Sequence, residues 1–227
     1  MLKNQKVAIV ICAGGIGERM GAGMPKQFIE MDGGTSIIRK SVDAFRKDNV
    51  YELADIIVVT APEGFEEETS RLVNEDLPES EHAHVIAGGS QRQDSVRNAL
   101  EFLKDRGLAE DDIVLIHDGA RPFVTDDIIT GVTEAALEHG AAIAAVPVKD
   151  TIRDREAGTL DRKKLYSVQT PQGFRFGLIH DAVEKACSDG FYGTDDGSLA
   201  ERAGVMPVIV PGSYANIKIT TPEDLGR

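Results

Sequence analysis

Short apolar runs alternate with amphipathic stretches along most of this 227-residue chain, and this alternation constrains the fold more than any other feature. Five runs have the length and composition of buried strands: 7–11, 54–60, 84–87, 112–117 and 141–148. Amphipathic helices are predicted at 37–45, 65–74, 94–104 and 125–139. Strands that alternate with helices of this length favour a mainly parallel sheet with helices on both faces.

The alternation breaks at residues 151–170, which are polar and charged. Two short β-like runs, 151–153 and 165–168, flank a turn at Gly158, so we predict a β-hairpin arm that protrudes from the sheet. An arm that buries little surface of its own needs a partner, which points to a homodimer. Three further elements then follow: helices at 176–188 and after Thr194, and a strand at 205–210. We therefore predict one Rossmann-like α/β domain over 1–227.

Charge excludes some classes of partner. The chain carries 25 Lys and Arg against 38 Asp and Glu, a net charge of −13. Nucleic acids and anionic membranes both require a cationic face, so neither is expected as a partner. No run approaches the roughly 18 apolar residues of a membrane span, and no signal segment is evident, so we expect a cytoplasmic protein. A small polyanionic ligand is not excluded, because it senses the local charge.

The two cysteines, Cys12 and Cys187, belong to no CxxC or Cys/His cluster with zinc spacing. One disulfide is possible, but two separate buried thiols are the favoured interpretation. No Gly-x-Ser-x-Gly elbow, kinase motif set or His cluster occurs, so no nucleophile is evident. We therefore expect the protein to act on phosphates by positioning them and stabilising their charge, without a covalent intermediate.

A glycine-rich segment at 13–28 directly follows the first predicted strand. Its glycines let the backbone approach a ligand and expose N–H groups at the strand end, where open α/β sheets bind ligands. Arg19 and Lys26 add two positive charges, which suit a polyphosphate and its transfer chemistry. The segment is neither a Walker A motif nor a complete dinucleotide fingerprint. A plain surface turn is the alternative, but it would not need Pro25 and Lys26.

Two more segments lie at predicted strand ends. At 88–96, the glycines and Ser95 could contact a base or ribose, or Ser95 or Asp94 could simply cap the next helix. The two interpretations stay open.

Asp118 follows the fourth strand, where a carboxylate can hold hydrated Mg²⁺ together with phosphates, or it can simply pair with Arg121. We favour a buried, backbone-bonded His117 over a catalytic base.

Lys218 lies in the stretch 216–224, where we predict an apolar, buried strand. A buried lysine is costly unless an anion pairs with it, so Lys218 is a functional candidate. In the segment 193–196, Thr194 or an aspartate is predicted first as a helix cap.

Seven segments together resemble, in order and spacing, the 2-C-methyl-D-erythritol 4-phosphate cytidylyltransferase family. They are AGGIGERMGAGMPKQF, GGSQRQDSV, HDGARPF, VPVKDTIR, QTPQGF, GTDDGSLAE and GSYANIKITTPEDL. The resemblance implies that the phosphate of a sugar-alcohol phosphate attacks the α-phosphorus of CTP, with Mg²⁺, to give a CDP-linked product and pyrophosphate. It also implies a homodimer in which the arms, 151–170, interlock.

The same resemblance implies roles for individual residues. The charged transition state would be stabilised by Arg19 and Lys26, and Lys218 would reach the phosphates. The nucleotide would be contacted by Ala13, Gly14, Gly15, Gly88, Gly89, Arg92, Ser95 and Asp118, with Asp118 also near the metal. The second substrate would be contacted by Arg121, Thr151, Arg162, Thr170 and Thr194, of which Arg162 and Thr170 could act across the dimer.

Three alternatives stay open. The ribitol-5-phosphate cytidylyltransferases share the first segment and the NIKITTP stretch. A binding or sensor domain would hold a nucleotide without turnover. A different nucleotidyltransferase would use UTP or GTP.

Overall fold

The computed structural model describes residues 5–15, 25–31, 33–46 and 55–225. Within these ranges a seven-stranded sheet has the order β3-β2-β1-β4-β8-β5-β9, and β6 and β7 form a separate pair. The strands are β1 Val7–Cys12, β2 Ile56–Ala61, β3 His84–Ala87, β4 Ile113–Asp118, β5 Ala141–Pro147, β6 Arg153–Asp154, β7 Gly158–Thr159, β8 Tyr166–Arg175 and β9 Val208–Pro211. The helices are α1 Ile37–Asp43, α2 Glu66–Asn74, α3 Arg92–Asp105, α4 Asp126–His139, α5 Phe176–Ser188 and α6 Asp196–Arg202.

Helices cover both faces of the sheet, which confirms the predicted fold class. Ile9 and Ile11 of β1 pack on one face with α1, α2 and α4. Ala8 and Val10 of the same strand pack on the opposite face with α3, α5 and α6. A central parallel strand has no solvent face, and this explains why the first run is apolar at every position.

The main departure from the predicted topology is β8. This ten-residue strand lies between β4 and β5 and is antiparallel to both. Its first residues were predicted to form the second half of the arm, but they pair with β5 in the main sheet. The arm's hairpin is shorter than predicted and consists of two-residue strands, Arg153–Asp154 and Gly158–Thr159.

The sequence of β8 does not indicate a regular strand, because it contains a proline and a glycine. Pro171 lacks an N–H group, but it falls where the pairing with β5 shifts register, so that a ladder hydrogen bond is not required there. Gly173 sits under α4, where an added Cβ would lie 2.8 Å from the Val132 side chain and 2.9 Å from that of Leu115. Close packing of α4 on the sheet therefore requires glycine at this position.

Three loops meet at the carboxyl ends of the parallel strands β1, β3 and β4. Backbone hydrogen bonds hold them together: Ala13 N–H donates to Thr60 O at 3.0 Å, Gly88 N–H to Ala61 O at 2.8 Å, and Gly119 N–H to Cys12 O at 2.9 Å. Residues 13–15, residues 88–89 and Asp118 are thus brought to one edge of the sheet.

Both thiols are free, but they are not both buried as predicted. Cys12 is half-buried at the end of β1, whereas Cys187 is exposed. The reason is helical geometry, because Ala186 faces the sheet and the next residue of α5 turns outward. Among the described residues, no helix combines the length and the apolar character needed to cross a membrane.

Candidate functional site

A cleft of about 280 Å³ opens at this edge of the sheet. Most of the residues predicted to contact a nucleotide or its phosphates line it: Ala13, Gly14, Gly15, Lys26, Gly89, Arg92, Ser95, Asp118 and Lys218. Gly88 lies directly behind, where an added Cβ would lie 2.8 Å from Ala61 O. Arg19 lies outside the described residues.

Ser95 joins the two glycine loops of the cleft. Its hydroxyl accepts a hydrogen bond from Gly89 N–H at 2.9 Å and donates one to Gln91 O at 3.2 Å. A Cβ on Gly14 would lie 2.8 Å from the same oxygen. Glycine at this position therefore lets the loop after β1 pack on the loop after β3.

The start of α3 shows that Asp94 caps this helix, which was one of the two interpretations left open for this segment. Asp94 accepts hydrogen bonds from Gln91 N–H at 3.0 Å and from Ser90 Oγ at 2.6 Å. These contacts cap the helix, which begins at Arg92, two residues earlier than predicted. The cap leaves the Arg92 side chain directed into the cleft.

Charged side chains alternate in sign across the floor of the cleft. Arg92 Nε lies 3.0 Å from Asp118 Oδ1, and Lys218 Nζ lies 2.7 Å from Asp118 Oδ2. Burial alone would raise the pKa of Asp118, but Arg92, Lys218 and Arg121 outweigh it and hold that pKa well below its usual range. Asp118 is therefore a carboxylate at neutral pH.

Asp196 extends this network to α6 and was read in the sequence only as part of a helix cap. The cap itself is Asp195, which accepts a hydrogen bond from Ser198 N–H at 2.9 Å. Asp196 is 1% exposed and pairs with Arg92 Nη2 at 2.7 Å. In the sequence, the only sign of a role beyond the cap is that two aspartates, Asp195 and Asp196, follow each other at the predicted helix start.

Lys218 lines the cleft, but its secondary structure and its exposure both differ from the prediction. Residues 216–220 form no strand, and the Lys218 side chain is 40% exposed rather than buried. Ile219, its neighbour, is fully buried, and its N–H donates to Ala120 O at 2.8 Å. Residues 216–220 form an extended segment that lies against the loop after β4.

His117 is buried and bonded to the backbone, as predicted. Its Nε2 donates to Arg121 O at 3.0 Å, and its Nδ1 accepts from Thr170 Oγ1 at 3.1 Å. The same hydroxyl accepts from Asp118 N–H at 3.0 Å. This chain requires a neutral ring, and burial lowers the pKa of His117 to about 4.

The residues predicted to contact the second substrate do not line this cleft, as far as the described part of the chain shows. The Thr170 side chain is directed to His117 and Asp118 N–H, and Arg121 Nη1 donates to Asn216 O at 2.8 Å. Thr151 and Thr194 are exposed. Arg162 lines a separate open hollow at the base of the arm, with Lys149, Lys163 and Tyr166 among its neighbours.

Comparison with known proteins identifies the family. A family model described as 2-C-methyl-D-erythritol 4-phosphate cytidylyltransferase matches residues 7–227. Relatives of that name include one from Syntrophus aciditrophicus, 40% identical over 97% of this chain and 93% of the relative. Another, from Bacillus cereus, is 43% identical over 96% of this chain and 93% of the relative.

Solved structures of the same enzyme agree. One from Thermus thermophilus is 32% identical, with a TM-score of 0.76 over 98% of this chain and 96% of that chain. One from Francisella tularensis is 31% identical, with a TM-score of 0.81 over 98% and 97%. By sequence and by fold, this chain belongs to the 2-C-methyl-D-erythritol 4-phosphate cytidylyltransferase family.

Proposed function

We propose that this protein transfers the cytidylyl group of CTP to 2-C-methyl-D-erythritol 4-phosphate and releases pyrophosphate. The observation that carries the proposal is the cleft, where Lys26, Arg92 and Lys218 meet two glycine loops in a chain whose net charge is −13. A phosphate oxygen of the second substrate attacks the α-phosphorus of CTP. The bond to the β-phosphate breaks, and pyrophosphate leaves with its electron pair.

Two lysines are positioned to offset the charge that builds up on the reacting phosphates. Lys26 Nζ donates to Ile219 O at 2.8 Å, next to Lys218 in the chain. The extended segment 216–220 therefore locates both ammonium groups at one wall of the cleft. Fixed cations lower the barrier most when they face the oxygens on which charge grows. Arg19, predicted as a third such group, stays a prediction.

Mg²⁺ is part of this proposal. Among the described residues there is no group of three His, Cys, Asp or Glu side chains that could hold a metal ion. Asp118 is the carboxylate of the cleft, and one carboxylate plus ligand phosphates is a common arrangement for Mg²⁺. When bound, the ion would neutralise phosphate charge. Asp118 would hold the ion with a carboxylate that Arg92 and Lys218 also contact.

A mutation of Lys26 tests the role of the lysines. We expect Lys26→Ala to lower kcat on the order of 10²-fold, as happens when one transition-state donor is removed. Circular dichroism should stay unchanged, because the side chain is only half-buried. Lys104→Ala, at the far end of α3, is the matched control and should keep full turnover. A near-normal kcat for Lys26→Ala would contradict the assignment.

Substrate choice is tested by measuring pyrophosphate release. We expect release with CTP and methylerythritol phosphate, and little with ribitol 5-phosphate or with UTP, GTP or ATP as donor. The family model and the two relatives described above carry the methylerythritol name, which disfavours the ribitol alternative. Preferred turnover of ribitol 5-phosphate would overturn the choice. CTP binding without any release would favour a sensor domain.

The proposal extends to a homodimer formed through the arm. The hairpin pair β6–β7 buries few of its residues, and Ile152, Tyr166 and Val168 beside it are exposed large apolar side chains. A second copy of the chain would cover them. Sedimentation of the wild type should give twice the 24.5 kDa mass, and replacing residues 153–160 by a short glycine linker should lower it to the mass of one chain. A variant that keeps the doubled mass would place the dimer contact elsewhere. A wild type with the mass of one chain would exclude the dimer.

We also propose that the protein works in the cytoplasm. Two free thiols are compatible with a reducing compartment, where structural disulfides are rare. Fractionation of cells that express the tagged full-length protein should recover it with cytoplasmic markers, and recovery with the membrane or outside the cell would contradict this.

A further inference from the structure

Gln27 is a buried glutamine beside the predicted catalytic lysine, and its side chain points to the other wall of the cleft. It belongs to the short 3-10 turn Lys26–Phe28 and is 2% exposed. Its amide Nε2 donates to Ala13 O at 2.6 Å and to Gly15 O at 3.2 Å. One side chain thus spans the loop that leaves β1, while Lys26 contacts the segment 216–220.

This contact fixes the direction in which the loop presents its donors. The carbonyl and the N–H of a trans peptide unit point to opposite sides. When Ala13 O is held by Gln27, the N–H of Gly14 in the same peptide unit is turned away from Gln27. Ala13 N–H has an acceptor in Thr60 O at 3.0 Å, whereas no acceptor is present among the described residues for the N–H groups of Gly14 and Gly15.

Unsatisfied backbone N–H groups at the wall of a cleft are a binding surface for anions. Gly14 and Gly15 both line the cleft, and Ser95 packs against Gly14 from behind. Glycine has no side chain to restrain the peptide plane on its N-terminal side, so the plane between Ala13 and Gly14 is set by the hydrogen bond to Ala13 O. Gln27 supplies that hydrogen bond.

We propose that Gln27 is a positioning residue that pre-organises the N–H group of Gly14 for the phosphates of the nucleotide. The proposal rests on the proposed function, because it requires that a nucleoside triphosphate binds this cleft. A neutral amide suits the role. Glutamate would set a carboxylate against two carbonyl oxygens, and asparagine is one methylene too short to reach both.

The test measures how affinity depends on the number of phosphates. Isothermal titration of the full-length protein with CMP, CDP and CTP, each with Mg²⁺, would compare wild type with Gln27→Met. We expect the loss of affinity in Gln27→Met to grow from CMP to CTP and to reach at least tenfold for CTP. A purely structural role would weaken all three ligands by the same factor, and that result would overturn the proposal.

Gln93→Met is the matched control. Gln93 is also buried, at 8% exposure, and its amide also holds a loop, donating to Phe191 O at 3.0 Å and accepting from Gly193 N–H at 2.9 Å. We expect this variant to lose thermal stability while the ratio of CTP to CMP affinity stays that of wild type. If Gln27→Met does not fold, Gln27→Asn is used, for which the same phosphate dependence is expected.

The outcome separates this proposal from the one on which it rests. Wild-type protein that binds no cytidine nucleotide and releases no pyrophosphate would refute the proposed function. Wild-type protein that binds CTP, with Gln27→Met binding it within twofold, would refute only the role of Gln27.

Discussion

Much of the cleft is held in place from behind, by side chains that do not face it. The Asp118 N–H, the Thr170 hydroxyl and the His117 ring form one chain of hydrogen bonds that ends at Arg121 O. The Thr170 hydroxyl and the His117 ring each accept one hydrogen bond and donate another, and the carbonyl at the end can only accept, so the ring proton lies on His117 Nε2. A proton added at Nδ1 would confront the Thr170 hydroxyl with a second donor. The ring therefore acts as a neutral support for the backbone of Asp118.

The neutral state of His117 predicts how stability depends on pH. Its pKa is about 4 in the fold and about 6.5 in an unfolded chain, so the unfolded state binds more protons between these values. Above pH 6.5 both states are neutral and nothing changes. As pH falls from 6.5 to 4, this residue alone removes up to about 3 kcal/mol from the free energy of unfolding.

Urea unfolding between pH 7 and pH 4.5 measures this dependence, with His117→Asn as the reference. Asparagine cannot take up the proton, so its free energy of unfolding should fall less steeply with decreasing pH. Parallel curves for the two proteins would mean that the pKa of His117 is the same in the folded and unfolded states, which would contradict a buried neutral ring.

The two thiols should differ in reactivity. Burial raises the pKa of Cys12 to about 12, so its reactive thiolate is scarce, whereas Cys187 is exposed. At pH 8, iodoacetamide should add one label to the native protein and none to Cys187→Ser within the same time. Mass spectrometry of the intact chain reads this directly, and rapid labelling of Cys187→Ser would show that Cys12 is open to reagents.

At the scale of elements, the sequence was informative where burial sets the pattern. The apolar strands β1, β2, β4 and β5 and the helices around them were predicted because each has a regular period that depends on its own residues. Strand β8 was missed as part of the sheet because its Pro171 and Gly173 are explained only by neighbours, a register shift in β5 and the close approach of α4.

The candidate site follows the same rule. The cleft residues next to strand ends could be predicted because parallel strands bring their carboxyl ends to one edge. Gln27 and Asp196 could not, because their roles depend on partners 14 and 104 residues away, namely Ala13 and Arg92. Nothing local in the sequence marks such contacts.

Adding a methyl group should lower the free energy of unfolding at one glycine of the cleft loops and leave it unchanged at another. A Cβ at Gly89 would overlap the Cβ of Asp94, whereas one at Gly15 would meet nothing within 4 Å among the described residues. Gly89→Ala should shift the start of α3 and lower the free energy of unfolding by about 1–3 kcal/mol. Gly15→Ala, its control, should unfold at the wild-type urea concentration. Equal stability of the two variants would contradict the geometry.

At the scale of the whole molecule, charge is divided by location. The excess of 13 negative charges coexists with a cleft into which Lys26, Arg92 and Lys218 converge. Inside the protein, Arg92 and Lys218 pair with two buried carboxylates, Asp196 and Asp118. Net charge therefore describes the outer surface, and it was informative about large partners but not about a small anion.

The position of β8 has a consequence for how the chain is made. A ribosome delivers β4 and then β5 before the strand that must separate them, with β5 complete about 20 residues ahead of β8. The nascent sheet therefore has two open inner edges until residue 175 has emerged. A fragment that ends at residue 165 should therefore sediment as aggregate when the full chain stays in solution. A soluble fragment with native circular dichroism would contradict this. Assembly of the sheet's interior thus waits for a late segment, and the protein gains its shape only when three quarters of its length has been synthesised.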